Sequence, residues 1–144
     1  MILIADQQDI VRLPVARIRK LAGLVLSGEG RPGVTLSLAF VDDRAIRAVN
    51  RRFLSHDYAT DVISFLLEDP QDDLFGEVVV STQYAAREAG RRRISVAEEV
   101  QRYVAHGILH LLGYDDTTTA KKRRMWRRQE DYLGRSQKPA VRSR

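Results

Sequence analysis

The stretch from Val96 to Leu112 constrains this chain more than any other. Apolar residues occupy most of its sides, so a helix built from it has no broad face to offer water and must lie in the middle of a fold. Ser95, with Glu98 three residues later, has the form of a capping box at its start, and Gly113 supplies a stop at its end. The other elements must cover this helix. A length of 144 residues suits one domain with a single core, because two domains of half that size would each be marginal.

The covering elements can be read in order. Ile2 to Ala5 is a short candidate strand, and Pro14 opens a segment with Val15, Ile18, Leu21, Ala22 and Val25 at helical spacing, ended by Gly28 and Gly30. Val34 to Val41 alternates and is β-rich, and Asp42 then stands as a helix cap ahead of Ala45, Ile46, Val49 and Phe53. After a polar loop at Ser55-His56-Asp57, Val62 to Leu67 reads as a third strand. The acidic turn from Glu68 to Asp73 joins it, as a long hairpin, to a fourth at Glu77 to Ser81. Thr82 to Arg93 reads as a helix, and a last helix runs from about Thr118 to Leu133. This pattern predicts an α+β domain over residues 1–135, with a mixed sheet of about four strands packed with about five helices around the central one. Residues 136–144, polar and basic, are expected to form a disordered tail.

Cysteine is absent, so a disulfide framework and a thiolate metal site are both excluded, and any metal must be held by His, Asp or Glu. The apolar runs are too short to span a bilayer and the start carries no secretory signal, which points to a cytoplasmic protein with no membrane partner. The net charge of +5 is unevenly placed. Lys121-Lys122-Arg123-Arg124-Met125-Trp126-Arg127-Arg128 concentrates six positive charges in eight positions, and only Glu130 and Asp131 oppose the basic residues that follow. Such a run suits contact with nucleic acid or a ribosome, and it equally suits a solvated helix face.

His106 and His110 lie four residues apart on the central helix, so they share a face and can present two imidazole nitrogens to one ion. Gly113 can stop the helix in a left-handed conformation and turn the chain back, which brings Asp116 within reach of that face. The series His106, His110, Gly113 and Asp116 has the spacing of three ligands and a reversing glycine in metzincin sites. Two imidazoles and a carboxylate suit zinc, with nickel, cobalt and manganese as alternatives. Gly107 stands where a protease carries its glutamate base, which disfavours peptide hydrolysis. Water held by such an ion could still attack a phosphodiester, although no side chain stands out as its general base.

The run His106-Gly107-Ile108-Leu109-His110-Leu111-Leu112-Gly113-Tyr114-Asp115-Asp116 resembles the signature of the YbeY family of bacterial endoribonucleases. Val49 to Phe53 with Asp57 to Phe65, and Gly76 to Ser81, are similar to two further blocks of that family, so the resemblance covers about residues 35 to 120. It implies a metal-dependent endoribonuclease with one zinc ion, specific for single-stranded RNA. It further implies a role in 16S rRNA 3′ end maturation and ribosome quality control, with ribosomal RNA and the small ribosomal subunit as partners. Three positions depart from the family pattern. Asp116 stands where the third ligand is usually histidine, Leu54 stands where the family has an arginine that acts in catalysis, and Ala59 replaces a usual proline.

Several residues carry two readings. Asp115 rivals Asp116 as third ligand, but the spacing favours Asp116 and leaves Asp115 to orient a histidine or cap the last helix. Arg51, Arg52, Lys121, Lys122, Arg123 and Arg124 are candidate RNA contacts, each also at home on a solvated face. His56 reads as a solvent-exposed loop residue rather than a ligand, and Tyr114 and Trp126 read as packing residues rather than stacking platforms. The alternative to an endoribonuclease is an RNA- or ribosome-associated binding protein whose metal is mainly structural.

Overall fold

The computed structural model describes residues 1–69 and 74–138. Four strands, β1 (Ile2–Asp6), β2 (Thr35–Val41), β3 (Val62–Asp69) and β4 (Leu74–Ser81), form one sheet in the order β1-β2-β4-β3. The β1–β2 and β2–β4 pairs are parallel and β3–β4 is antiparallel, so the sheet is mixed as the sequence pattern predicts. The expected long hairpin is the β3–β4 pair; its tip at Pro70 to Asp73 lies outside the described residues. Five helices are described: α1 (Val15–Gly28), α2 (Asp43–Leu54), α3 (Thr82–Arg92), α4 (Val96–Leu111) and α5 (Thr119–Gln137).

Strand alternation sorts the core into two parts. Leu36, Leu38, Phe40, Val78 and Val80 face the larger cluster, where they meet Ile18, Leu21, Val25, Val104, Ile108 and Leu109. Ala39, Val41, Ile63 and Val79 point to the other face, which α2 covers with Ile46. The helix α4 packs against β3 and β4 and is flanked by α1, α3 and α5, the central position its composition requires. Helix α5 extends past Leu133 and buries Ser136, so the segment expected to be a disordered tail begins instead with helix; residues 139–144 lie outside the described residues. The predicted end at Leu133 missed this because the segment's composition is polar and its one buried contact there is a serine.

Among the described residues, no helix is long and apolar enough to cross a membrane.

The ends of α4 place the site. Ser95 caps it by accepting from the Glu98 amide at 3.0 Å, while the Glu98 carboxylate turns to Arg102 instead of closing the capping box. At the other end the Gly113 amide donates to the His110 carbonyl at 3.1 Å and the Tyr114 amide to the Leu109 carbonyl at 3.0 Å. With Gly113 at φ +97°, this is a Schellman stop, and glycine fits it because an L side chain is strained there. Gly107 answers a different need. A Cβ at this position would collide with Val78 and lie 3.1 Å from both Ser64 and Val62, and the Gly107 carbonyl accepts from the Ser64 hydroxyl at 2.8 Å. The ligand helix is thereby seated directly on β3 and β4.

Candidate metal centre

His106, His110 and Asp116 come together: one ligand atom from each lies within 4.8 Å of the others. The two Nε2 atoms are 3.1 Å apart, with the rings edge to face. Two nitrogens at ~2.0–2.1 Å from one tetrahedral zinc would be roughly 3.3–3.4 Å apart, so the pair is already close to ligand spacing. Both imidazoles are half-buried and Asp116 is exposed, which leaves one side of the cluster open. Burial, and next the adjacent His106 ring, push the His110 pKa down against the opposing influence of Asp116 and the Tyr114 backbone. A neutral imidazole is the form that ligates. The donor set therefore fits a divalent ion of zinc type.

The orientation of His106 comes from a residue that no local pattern marks. Gln129 on α5 places its Oε1 2.7 Å from His106 Nδ1, while its Nε2 donates to Glu130 at 3.0 Å. Since the amide donates through nitrogen, its oxygen must accept, so Nδ1 carries a proton and Nε2 is the nitrogen turned toward the cluster. Glu130 is fixed in turn by Arg102, which donates from Nε and Nη2 at 2.9 Å each and also binds Glu99 at 2.8 Å. Burial opposes charge on Glu130, but the Arg102 and Gln129 hydrogen bonds outweigh it and hold the carboxyl below its usual range. Gln129 is fully buried, which shows only once α5 is laid beside α4.

Asp115 does not touch a histidine. Its carboxylate accepts from the Thr117 amide and hydroxyl and lies 3.5 Å from Lys121, which keeps it engaged at the entrance to α5. The helix cap itself is Thr118, accepting from Lys121.

Two cavities meet at the ligands. One, of about 660 Å³, is bordered by Leu54, His56, Tyr58 and Ser64; the other, of about 640 Å³, by Tyr84, Arg92, Tyr103 and Trp126. His106, Asp116 and Asp61 border both. Leu54, at the end of α2, thus borders the site. Arg51 and Arg52 are exposed on α2 and border neither cavity. The basic run divides: Lys122 and Arg123 border the second cavity, whereas Lys121 and Arg124 turn toward Asp115 and Tyr114. His56 is exposed and engages Tyr58 through Nδ1 at 2.8 Å. Tyr114 packs as expected, donating to Glu29 at 2.6 Å, but Trp126 does not, being 47% exposed.

The model of the family described as Endoribonuclease YbeY matches residues 3–137, almost the whole described chain. The chain belongs to the YbeY endoribonuclease family. It is 44% identical over 122 residues to an endoribonuclease YbeY of Anaeromyxobacter sp. (strain Fw109-5), covering 83% of this chain and 64% of that protein. The corresponding protein of Anaeromyxobacter dehalogenans is 45% identical over 76% of this chain and 58% of its own length, so the chain spans about three fifths of these two relatives. An endoribonuclease YbeY of Syntrophotalea carbinolica is 35% identical over 94% of this chain and 95% of its own. A solution structure from Thermotoga maritima has the same fold, with a TM-score of 0.66 and 23% identity over 94% of this chain and 89% of that one. The YbeY match reaches well beyond the blocks at residues 35 to 120 that carry the resemblance in the sequence.

Proposed function

We propose that this chain is a zinc-dependent, single-strand-specific endoribonuclease that acts in the cytoplasm on ribosomal RNA, at 16S 3′ end maturation and in quality control of the small ribosomal subunit. The observation that carries the reading is the convergence of His106, His110 and Asp116 where two cavities meet, in a chain of the YbeY family. When bound, the ion supplies Lewis acidity toward a phosphodiester and lowers the pKa of water that it contacts. The chain's own residues do the rest. His106 and His110 offer imidazole nitrogens, Gln129 holds the His106 ring by its Nδ1, and Asp116 adds a carboxylate from beyond the reversing turn. Asp61, the carboxylate other than Asp116 that borders both cavities, is the group this reading assigns as proton acceptor.

One observation favours a second reading, an RNA-binding protein with a mainly structural metal: an apolar Leu54 borders the cavity where the family resemblance expects a catalytic arginine. Metal analysis and cleavage of a single-stranded RNA by the wild type, Asp116→Ala and Asp115→Ala separate these readings. The hydrolase reading expects cleavage by the wild type, and loss of metal and cleavage together in Asp116→Ala but not in Asp115→Ala. Metal-loaded wild type that binds RNA without cutting it favours the second reading.

A further inference from the structure

The second cavity has a character that hydrolysis at the ligands does not explain. It extends from His106 and Asp116 away between α3, α4 and α5, and its wall carries Trp126, an indole left 47% exposed. Tyr84 and Tyr103 face each other edge to face across 6.5 Å in the same wall. The Arg92 guanidinium lies 5.8 Å from the centre of the Trp126 ring, and Lys122 and Arg123 stand at the border. The buried acid there, Glu99, is already neutralised by Arg92 at 2.9 Å and Arg102 at 2.8 Å. What the cavity offers a visitor is therefore one half-exposed indole with cations around it, in a space that begins at His106 and Asp116.

We infer that this cavity is a nucleobase pocket, which takes the base of a nucleotide next to the scissile phosphate and stacks it on Trp126. The inference rests on the RNA-hydrolase reading above. Stacking suits an enzyme that must cut unpaired strands, because a base is free to enter only when it has left a duplex. Lys122 and Arg123 then lie where the strand's phosphates pass the border, and Arg92, over one face of the indole, leaves the base to take the other. A volume of about 640 Å³ is ample for a base with its ribose.

Trp126 is the chain's one tryptophan, so its emission reports on this cavity alone. Metal-loaded wild type titrated with the four nucleoside 5′-monophosphates should show quenching that ribose 5-phosphate does not produce. With an RNA oligonucleotide, Trp126→Ala should raise KM about tenfold and Trp126→Phe should restore most of the loss. An abasic residue placed beside the cleavage position should raise KM by a similar factor in the wild type and have little further effect in Trp126→Ala. RNA cleavage by the wild type with no nucleotide-dependent quenching, or with KM unchanged in Trp126→Ala, overturns the pocket and leaves the hydrolase reading standing. Base-dependent quenching without RNA cleavage overturns the hydrolase reading and, with it, the placement of the base beside a scissile phosphate.

Discussion

At the scale of single residues, the site rests on groups with one task each. Gln129 holds the His106 ring by its Nδ1, so Gln129→Ala should weaken metal binding by about 10- to 100-fold, as removal of a partner behind a metal ligand generally does, while the fold remains. Competition with a chelating dye measures this, and unchanged affinity would mean that α4 alone orients the ring. Leu54, at the end of α2, borders the cavity that also holds His106, His110 and Asp116. Leu54→Arg should raise kcat on single-stranded RNA, because a guanidinium there can offset charge that develops on the phosphate; an unchanged kcat with metal content intact would show that another cation has the role. The grouping of His106, His110 and Asp116 was legible in the sequence, since helical spacing and a reversing glycine are local signals. Gln129 was not legible, because its partner is 23 residues away and nothing local marks a glutamine that will be buried against a histidine.

At the scale of elements, α4 is held by charge as well as by apolar packing. Arg102 is 7% exposed and binds Glu98, Glu99 and Glu130, which ties α4 to α5. Burial alone would favour the neutral guanidine, but its carboxylate partners outweigh that and keep the charged form. A second tie joins α1 to the turn after α4 and to α5. Glu29 accepts from the Tyr114 and Tyr132 hydroxyls and lies 3.2 Å from Arg128. Burial raises the Glu29 pKa, but those hydrogen bonds and Arg128 lower it more, so the folded value falls below the usual 4.5. A depressed carboxylate contributes stability in full above 4.5, and that contribution is lost as pH falls through the folded value. Melting temperature should thus drop as pH is lowered past 4.5, and Glu29→Gln should melt lower at neutral pH with a shallower acid limb. Parallel acid limbs would exclude Glu29 as the source. The strands and helices were readable from periodicity. Apart from the β3–β4 hairpin, their pairing into the order β1-β2-β4-β3 was not, since contacts between distant segments leave no mark in local spacing.

At the scale of the whole molecule, the basic run serves two directions. Lys122 and Arg123 border the aromatic cavity, while Lys121 and Arg124 engage Asp115 and Tyr114 on another side of α5. Neutralising Lys122 and Arg123 should therefore flatten the plot of log affinity for RNA against log salt by roughly one unit of slope for each phosphate left without its cation. Neutralising Lys121 and Arg124 should flatten it less. Equal slopes for the two double variants would mean that RNA reads the helix as a diffuse charge. The uneven charge was plain in the sequence; which side of the helix it would face was not. Helix α4 lies on β3 and β4 with no space for a side chain at Gly107, and this close seating limits what the scaffold can become. Glutamate at 107, where a peptidase carries its base, would have to displace Val78 and Val62 from beneath the helix before it could act. As long as this packing is kept, position 107 has no room for a side chain that could serve as a base beside the two histidines.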